Sequence, residues 1–175
     1  KGENEKAAEV LNRAAGIKIT DAQSGYNAGI LEYLRGNNDK AKEYLNTAYT
    51  KGILESSYYL AKIAMDEGDY QGARELFEKY AEDKGRVTLS GWYDGMADCL
   101  MKEEKYQEAL ACVAKGLALE DISAMKQLMQ KKVVLNEKLT DYDKAYEAAL
   151  EYGKLYPEDK EMAREIIFLS TRKSK

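Results

Sequence analysis

Histidine is missing altogether from this 175-residue sequence. With it goes the side chain most often used for proton transfer near neutral pH, which is also the commonest metal ligand. Proline occurs once, at Pro157, and phenylalanine twice. So little proline beside so much Ala, Leu, Glu and Lys is a composition for helices. The two cysteines, Cys99 and Cys112, are too far apart for a CxxC redox or zinc motif and too few for a disulfide framework. They read as small buried core residues and say nothing about compartment. No charge of one sign dominates: 27 Lys and Arg stand against 31 Asp and Glu, interspersed, for a net −4. Such a chain has no long-range field to draw in phosphate backbones, and nucleic acid is not an expected partner. No stretch approaches the roughly 18–20 apolar residues that a membrane helix needs, so this segment does not insert in a membrane. A glycine-rich phosphate loop is also missing. Gly91 and Gly95 flank Trp92 and Tyr93 ahead of a helix, without the spacing or the preceding strand of a dinucleotide motif. No cofactor and no metal are expected, and Trp92 reads as a packing residue.

What the chain has instead is repetition. The segments Gly36–Ala48, Gly68–Tyr80, Glu104–Gly116 and Thr140–Tyr152 each open with a short polar turn and continue as an amphipathic helix. Aligned, they place Ala41, Ala73, Ala109 and Ala145 in one column, with Ala7 as a fifth member; the successive separations are 34, 32, 36 and 36 residues. Four positions on stand Leu11, Leu45, Phe77, Val113 and Ala149, and three further Ala14, Ala48, Tyr80, Gly116 and Tyr152. That i, i+4, i+7 spacing is one stripe of a helix. Upstream of each turn a second helix carries Gly29, Ala61, Ala97 and Val133, small residues that let two helices approach closely. Each unit is therefore predicted to be a helical hairpin. One hairpin cannot bury its apolar face alone, whereas several stacked in register build a continuous core.

In period, in the Gly68-Asp69-Tyr70 turn, in the alanine and aromatic columns and in Pro157 closing the last unit, the sequence resembles the tetratricopeptide repeat (TPR) family over nearly its whole length. The fold this implies is all-α: a TPR-like right-handed superhelix of antiparallel helix hairpins with a C-terminal capping helix. The expected organisation is a single domain over 1–175, with the second helix of a partial repeat at about 3–16, repeats at about 22–51, 54–83, 90–118 and 122–156, and the cap at about 158–172. Three positions depart from the pattern: Glu32, Lys132 and Asn136. The chain opens at Lys1, without methionine, in a repeat whose first helix is missing. A removed targeting segment, a tether or further repeats are expected upstream. A similarity to TPR lipoproteins exported by gut-dwelling bacteria implies a signal peptide ending in a lipid-modified cysteine; a plain start upstream would place the chain in the cytoplasm instead.

Arrays of this family supply binding surface and little chemistry, so the resemblance implies a non-catalytic protein- or peptide-binding scaffold. It also implies that first helices line the groove. Carried onto this sequence, the groove residues are Tyr26, Ile30 and Tyr33, then Tyr58, Lys62 and Met65, then Asp94, Asp98 and Met101, and lastly Gln130, Val134 and Glu137. Tyr70, Tyr80, Tyr106, Tyr142 and Tyr152 fall instead in structural columns. The two-carboxylate clamp of chaperone-binding relatives is not reproduced, since Tyr26, Ile30, Tyr59, Gly91 and Gly95 stand at its positions. A groove aromatic at one end and acidic at Asp94 and Asp98 implies a partner segment that combines apolar and basic residues. Asp94 and Asp98 read as exposed helix carboxylates rather than a catalytic pair or a cation site, because hard metals want about six oxygens in a compact loop. Two other readings stand beside the scaffold. One is a regulatory or targeting module of a larger enzyme; the other is an oligomerisation module, with a second copy docked on the open face of Val10, Leu11 and Ala14.

Overall fold

Four chain reversals carry the architecture, and each turns on one residue with left-handed backbone: Gly36 (φ 78°), Gly68 (φ 82°), Glu104 (φ 58°) and Thr140 (φ 59°). Glycine accepts this conformation without penalty, whereas Glu104 and Thr140 hold it against their own Cβ. The computed structural model describes residues 19–85 and 87–174. The reversals join α1 (Ala22–Leu34) to α2 (Asn38–Thr50), α3 (Ser56–Asp66) to α4 (Tyr70–Lys84), α5 (Ser90–Lys102) to α6 (Tyr106–Leu117) and α7 (Met125–Lys138) to α8 (Tyr142–Leu155). A last helix, α9 (Lys160–Ser170), follows Pro157. Among the described residues there is no strand. The N-terminal helix expected at about 3–16, and with it the face of Val10, Leu11 and Ala14, lies outside the described residues.

Local chemistry sets where these helices start. Asp69 Oδ1 accepts from the backbone N–H of Gly72 at 2.9 Å, and Asp141 Oδ1 from that of Lys144 at 3.1 Å. Asp159 does the same for Glu161 and Met162 at the head of α9. At α1 the arrangement is reciprocal: Asp21 accepts from Ser24 N at 2.7 Å, and Ser24 Oγ accepts from Asp21 N at 3.0 Å. Each cap satisfies amide groups that the helix itself leaves unpaired.

The two columns of small residues are where paired helices meet. Ala41, Ala73, Ala109 and Ala145 are all fully buried, as are Ala61 and Ala97. At Gly29 a Cβ would fall 2.6 Å from Leu45 Cγ; the approach of α1 to α2 is closed to anything larger. Contacts group the chain into two units, Lys1–Arg86 and Val87–Lys175. In the first, Ala41, Leu45, Leu60 and Ile63 form the core cluster, with Tyr26, Tyr33, Tyr59 and Leu76 packed against it. In the second, Met129, Val133, Ala145, Ala148, Ala149 and Tyr152 are joined by Met162 and Leu169 of α9. Burying each large aliphatic side chain of these clusters contributes roughly 1.5–3 kcal/mol. The second unit is also clipped through Asp121, whose carboxylate accepts from the N–H and hydroxyl of Ser90 at 2.7 and 2.9 Å and from Ser123 N at 2.9 Å. Those donors, backbone amides foremost, hold its pKa down at about 2.

The three departures from the repeat pattern are each given a partner. Glu32 accepts from Arg35 at 2.9 Å and from Asn37 Nδ2 at 2.6 Å, bracing the first turn. Lys132 reaches Glu151 at 2.9 Å, and Asn136 Nδ2 donates to the carbonyl of Lys132 at 2.7 Å. No helix among the described residues is long and apolar enough to cross a membrane.

Candidate functional site

In the first unit, the i, i+4, i+7 stripes of α1 and α3 bring Tyr26, Ile30 and Tyr33 alongside Tyr58, Lys62 and Met65, all of them partly exposed. The residue that organises the tyrosines is one that the stripe pattern passes over. The Tyr59 ring lies 6.0 Å from that of Tyr26, 6.1 Å from Tyr33 and 5.2 Å from Tyr58, edge-on to each. Such pairs contribute about 0.5–1.5 kcal/mol each beyond their buried area. Tyr58 continues the cluster to Phe77 at 6.0 Å and Tyr80 at 5.8 Å. Lys62 Nζ stands over the rings of Tyr33 and Tyr58, 5.7 and 5.8 Å from their centroids. No carboxylate among the described residues ion-pairs with it, so the two π-faces hold the ammonium.

Burial pushes the Tyr33 phenol up to about 12, with Asp66, to which it is hydrogen-bonded, adding to the rise. Burial also raises Tyr26, with Tyr59 next in effect. At neutral pH these hydroxyls are therefore donors, not anions. Tyr26 and Tyr33 are half-buried and rest on the core of their unit, so they are shared between the fold and the surface.

The second unit corrects the expected electrostatics. Asp94 and Asp98 do sit one turn apart on α5, yet neither is a bare carboxylate. Lys131 Nζ, on α7, lies 2.5 Å from Asp94 Oδ1 and 3.1 Å from Asp98 Oδ2, and its side chain is only 15% exposed. The three groups carry one net negative charge rather than two. Burial raises the Asp98 pKa while Lys131 pulls it back.

Gln130 is also committed elsewhere than the sequence suggests. Its Nε2 donates to Tyr152 Oη at 3.0 Å, and that hydroxyl donates to Asp159 at 2.6 Å, tying α7, α8 and the head of α9 together. Val134 is exposed and Met101 half-buried. Glu137 shares a hydrogen bond with Glu165 of α9; burial first and that neighbouring carboxyl second raise its pKa. Cys99 and Cys112 are buried, and burial pushes the Cys112 thiol up to about 12, far from a reactive thiolate. Among the described residues no group of three or more acidic or cysteine side chains gathers as a metal would require.

Lys131 and Tyr59 were thus the residues that sequence reasoning missed. Lys131 lies next to the Gln130 stripe and Tyr59 next to the Tyr58 stripe. Adjacent helical positions point about 100° apart, so a single-face reading leaves them out.

A sequence model of the tetratricopeptide repeat matches residues 64–132. No curated protein matches the chain. Among solved structures it is similar to MamA from Desulfovibrio magneticus RS-1, at 21% identity over 89% of this chain and 87% of that one, with a TM-score of 0.73. It is similar to PilF of Pseudomonas aeruginosa at 22% identity, over 93% of this chain and 73% of that one, with a TM-score of 0.68. It is also similar to YrrB, described as a TPR protein with an unusual peptide-binding site, at 18% identity over 91% and 89% of the two chains, with a TM-score of 0.58. At these identities the likeness is one of fold. A tetratricopeptide repeat is thus recognised over 64–132, hairpins of the same build lie on both sides of that stretch, and the fold of the described residues is TPR-like.

Proposed function

We propose that this protein is a non-catalytic scaffold that binds a protein or peptide segment on the faces of its first helices. The observation that carries the reading is the tyrosine cluster of the first unit, capped by a lysine that ion-pairs with no carboxylate among the described residues. Tyrosine offers large contact area with few rotatable bonds and a polar tip, and aromatic anchors dominate binding energy at interfaces. YrrB, a TPR protein of similar fold with an unusual peptide-binding site, supports that use.

The geometry also gives the ligand a polarity in each unit. Over Tyr33 and Tyr58, the Lys62 ammonium favours an acidic group beside an apolar or aromatic anchor. In the second unit, Asp94, Asp98 and Lys131 together keep one negative charge, so a basic side chain is still favoured there, more weakly than two bare carboxylates would favour it. Whether the scaffold works exported and tethered or in the cytoplasm turns on the reading frame upstream of Lys1, where a signal peptide with a lipid-modified cysteine would place it outside.

The test is affinity capture with the full-length protein followed by calorimetry on the purified partner. Tyr58→Ala should weaken binding tenfold or more, about 1.4 kcal/mol. Lys62→Glu should weaken it and slow association, with the kinetic effect fading as salt passes about 0.15 M. A partner whose affinity is unchanged by both variants, each checked to melt as the parent does, would move the working surface off these helices.

A further inference from the structure

Lys132 and Asn136 have a consequence beyond their own hydrogen bonds. One repeat earlier, the equivalent positions hold Met96 and Leu100, and both are buried. In the last hairpin the space those side chains would fill is left open. Lys132 runs outward to Glu151, and Asn136 folds back on the Lys132 carbonyl. The result is a cavity of about 480 Å³ within the second unit, over α7 and between the second helices α6 and α8. That size lies in the roughly 300–1,000 Å³ range of ligand sites. Leu110, Ala114, Leu117 and Ala148 make its walls apolar, and Lys132 and Glu151 stand among its lining residues.

Among the polar residues at this lining, Asn136 is the buried one. Asn136 is 2% exposed, and its orientation is chemically determined. A backbone carbonyl only accepts, so the amide nitrogen must face Lys132 O, and Oδ1 must point the other way. No donor among the described residues is paired with that oxygen. The cavity therefore offers apolar walls, a charged rim and, at Asn136 Oδ1, an acceptor of fixed orientation.

We propose that this cavity is a second binding site, and that it takes the indole ring of a tryptophan presented by a partner protein, with the ring N–H donated to Asn136 Oδ1. Aliphatic side chains and phenylalanine would fill the walls and leave the acceptor unmet. A tyrosine hydroxyl would meet it while bringing lone pairs of its own into an apolar space. Indole is donor-only, so nothing is left unpaired on either side. The Lys132–Glu151 pair, with Lys144 and Glu147 also at the lining, supplies the charged rim that a partner's backbone and neighbouring polar side chains can meet. The site shares no residue with the first-helix faces proposed above and stands independently of them.

Titration of the isotope-labelled protein with N-acetyl-tryptophanamide, followed by amide resonances, tests this. Saturable shifts are expected at the Asn136 side-chain amide and at Ala114 and Ala148. N-acetyl-phenylalaninamide and the 1-methyl-tryptophan analogue should bind at least tenfold more weakly. Asn136→Leu restores the residue that stands one repeat earlier, so folding should persist while the preference for indole N–H disappears. Ala114→Phe, at an exposed wall position, should block all three ligands without touching the acceptor. Equal binding of the methylated analogue, saturable shifts confined to the Tyr33 and Tyr58 region, or no saturable shift at all would overturn the assignment. Free indole binding more tightly than the capped amino acid would overturn the protein-segment source.

Discussion

Lys131 of α7 bridges to Asp94 of α5 at 2.5 Å, across 37 residues of sequence and the whole intervening helix α6. The same ammonium reaches Asp98 at 3.1 Å, so one cation holds both carboxylates of the α5 face. Charge-assisted hydrogen bonds of this kind contribute about 1.5–3 kcal/mol when partly withdrawn from water. Lys131→Met should therefore destabilise the protein by roughly 1–3 kcal/mol, read from the urea midpoint at neutral pH. Replacing both aspartates with asparagine in the Lys131→Met background should recover part of that loss, because the penalty includes two carboxylates left facing each other. No recovery in the triple variant would show that the lysine acts through its alkyl chain alone.

Glu137 and Glu165 give the opposite case, like charges in contact. Burial, and then Glu165, raise the Glu137 pKa in the folded protein. The native state thus holds a proton that the unfolded chain gives up more readily. The stability tied to that proton is fully present below the ordinary glutamate range and is lost as pH rises through the elevated folded value. Glu137→Gln should leave the melting temperature near that of the parent at pH 4 and raise it at pH 8, with the difference growing between. A difference independent of pH would mean that the pair does not share a proton.

The left-handed turns predict two stabilising changes. A β-branched residue at positive φ carries a cost of roughly 1–2 kcal/mol, offset in glycine by about 0.5–1 kcal/mol of extra chain entropy. Thr140→Gly should thus raise stability by about 0.5–1 kcal/mol, with a smaller gain for Glu104→Gly. The reverse substitution, Gly68→Thr, should lower it. Denaturant midpoints of the three variants check the ordering.

Ser56 is fully buried at the start of α3, and its hydroxyl has no partner among the described residues. An unmet buried hydroxyl is a desolvation loss that alanine removes, and alanine is also the better helix former. Ser56→Ala should add up to about 1 kcal/mol, or roughly 2–4 °C in Tm for a chain of this length. An unchanged or lowered Tm, read calorimetrically, would place a solvent bridge at that oxygen.

Ala73 tests the register read from the repeats. It is fully buried in the column where α3 and α4 meet, and the added volume of leucine has nowhere to go. Ala73→Leu should overpack the hairpin and lower stability by roughly 1–3 kcal/mol. A Tm equal to the parent's would mean that the helices cross elsewhere.

Periodicity alone determined that this chain is a set of helical hairpins. The alanine column from Ala41 to Ala145, the Gly29 column opposite it and the polar turns recur at one spacing, and a helix of 3.6 residues per turn can place them on only one face. The turn residues were legible for the same reason, since Asp69 and Asp141 cap only the bonds within their own helices. What tertiary structure decided was which charges meet. Lys131 finds Asp94 and Asp98 because α5 and α7 lie side by side, a relation between residues 33 and 37 positions apart that no local spacing encodes. Tyr59 gathers Tyr26, Tyr33 and Tyr58 for the same reason. Lys132 and Asn136 stood out in the sequence as breaks in an apolar pattern. That the breaks open a lined cavity, rather than being filled from α6 or α8, depends on where those helices sit, and only packing in three dimensions sets that.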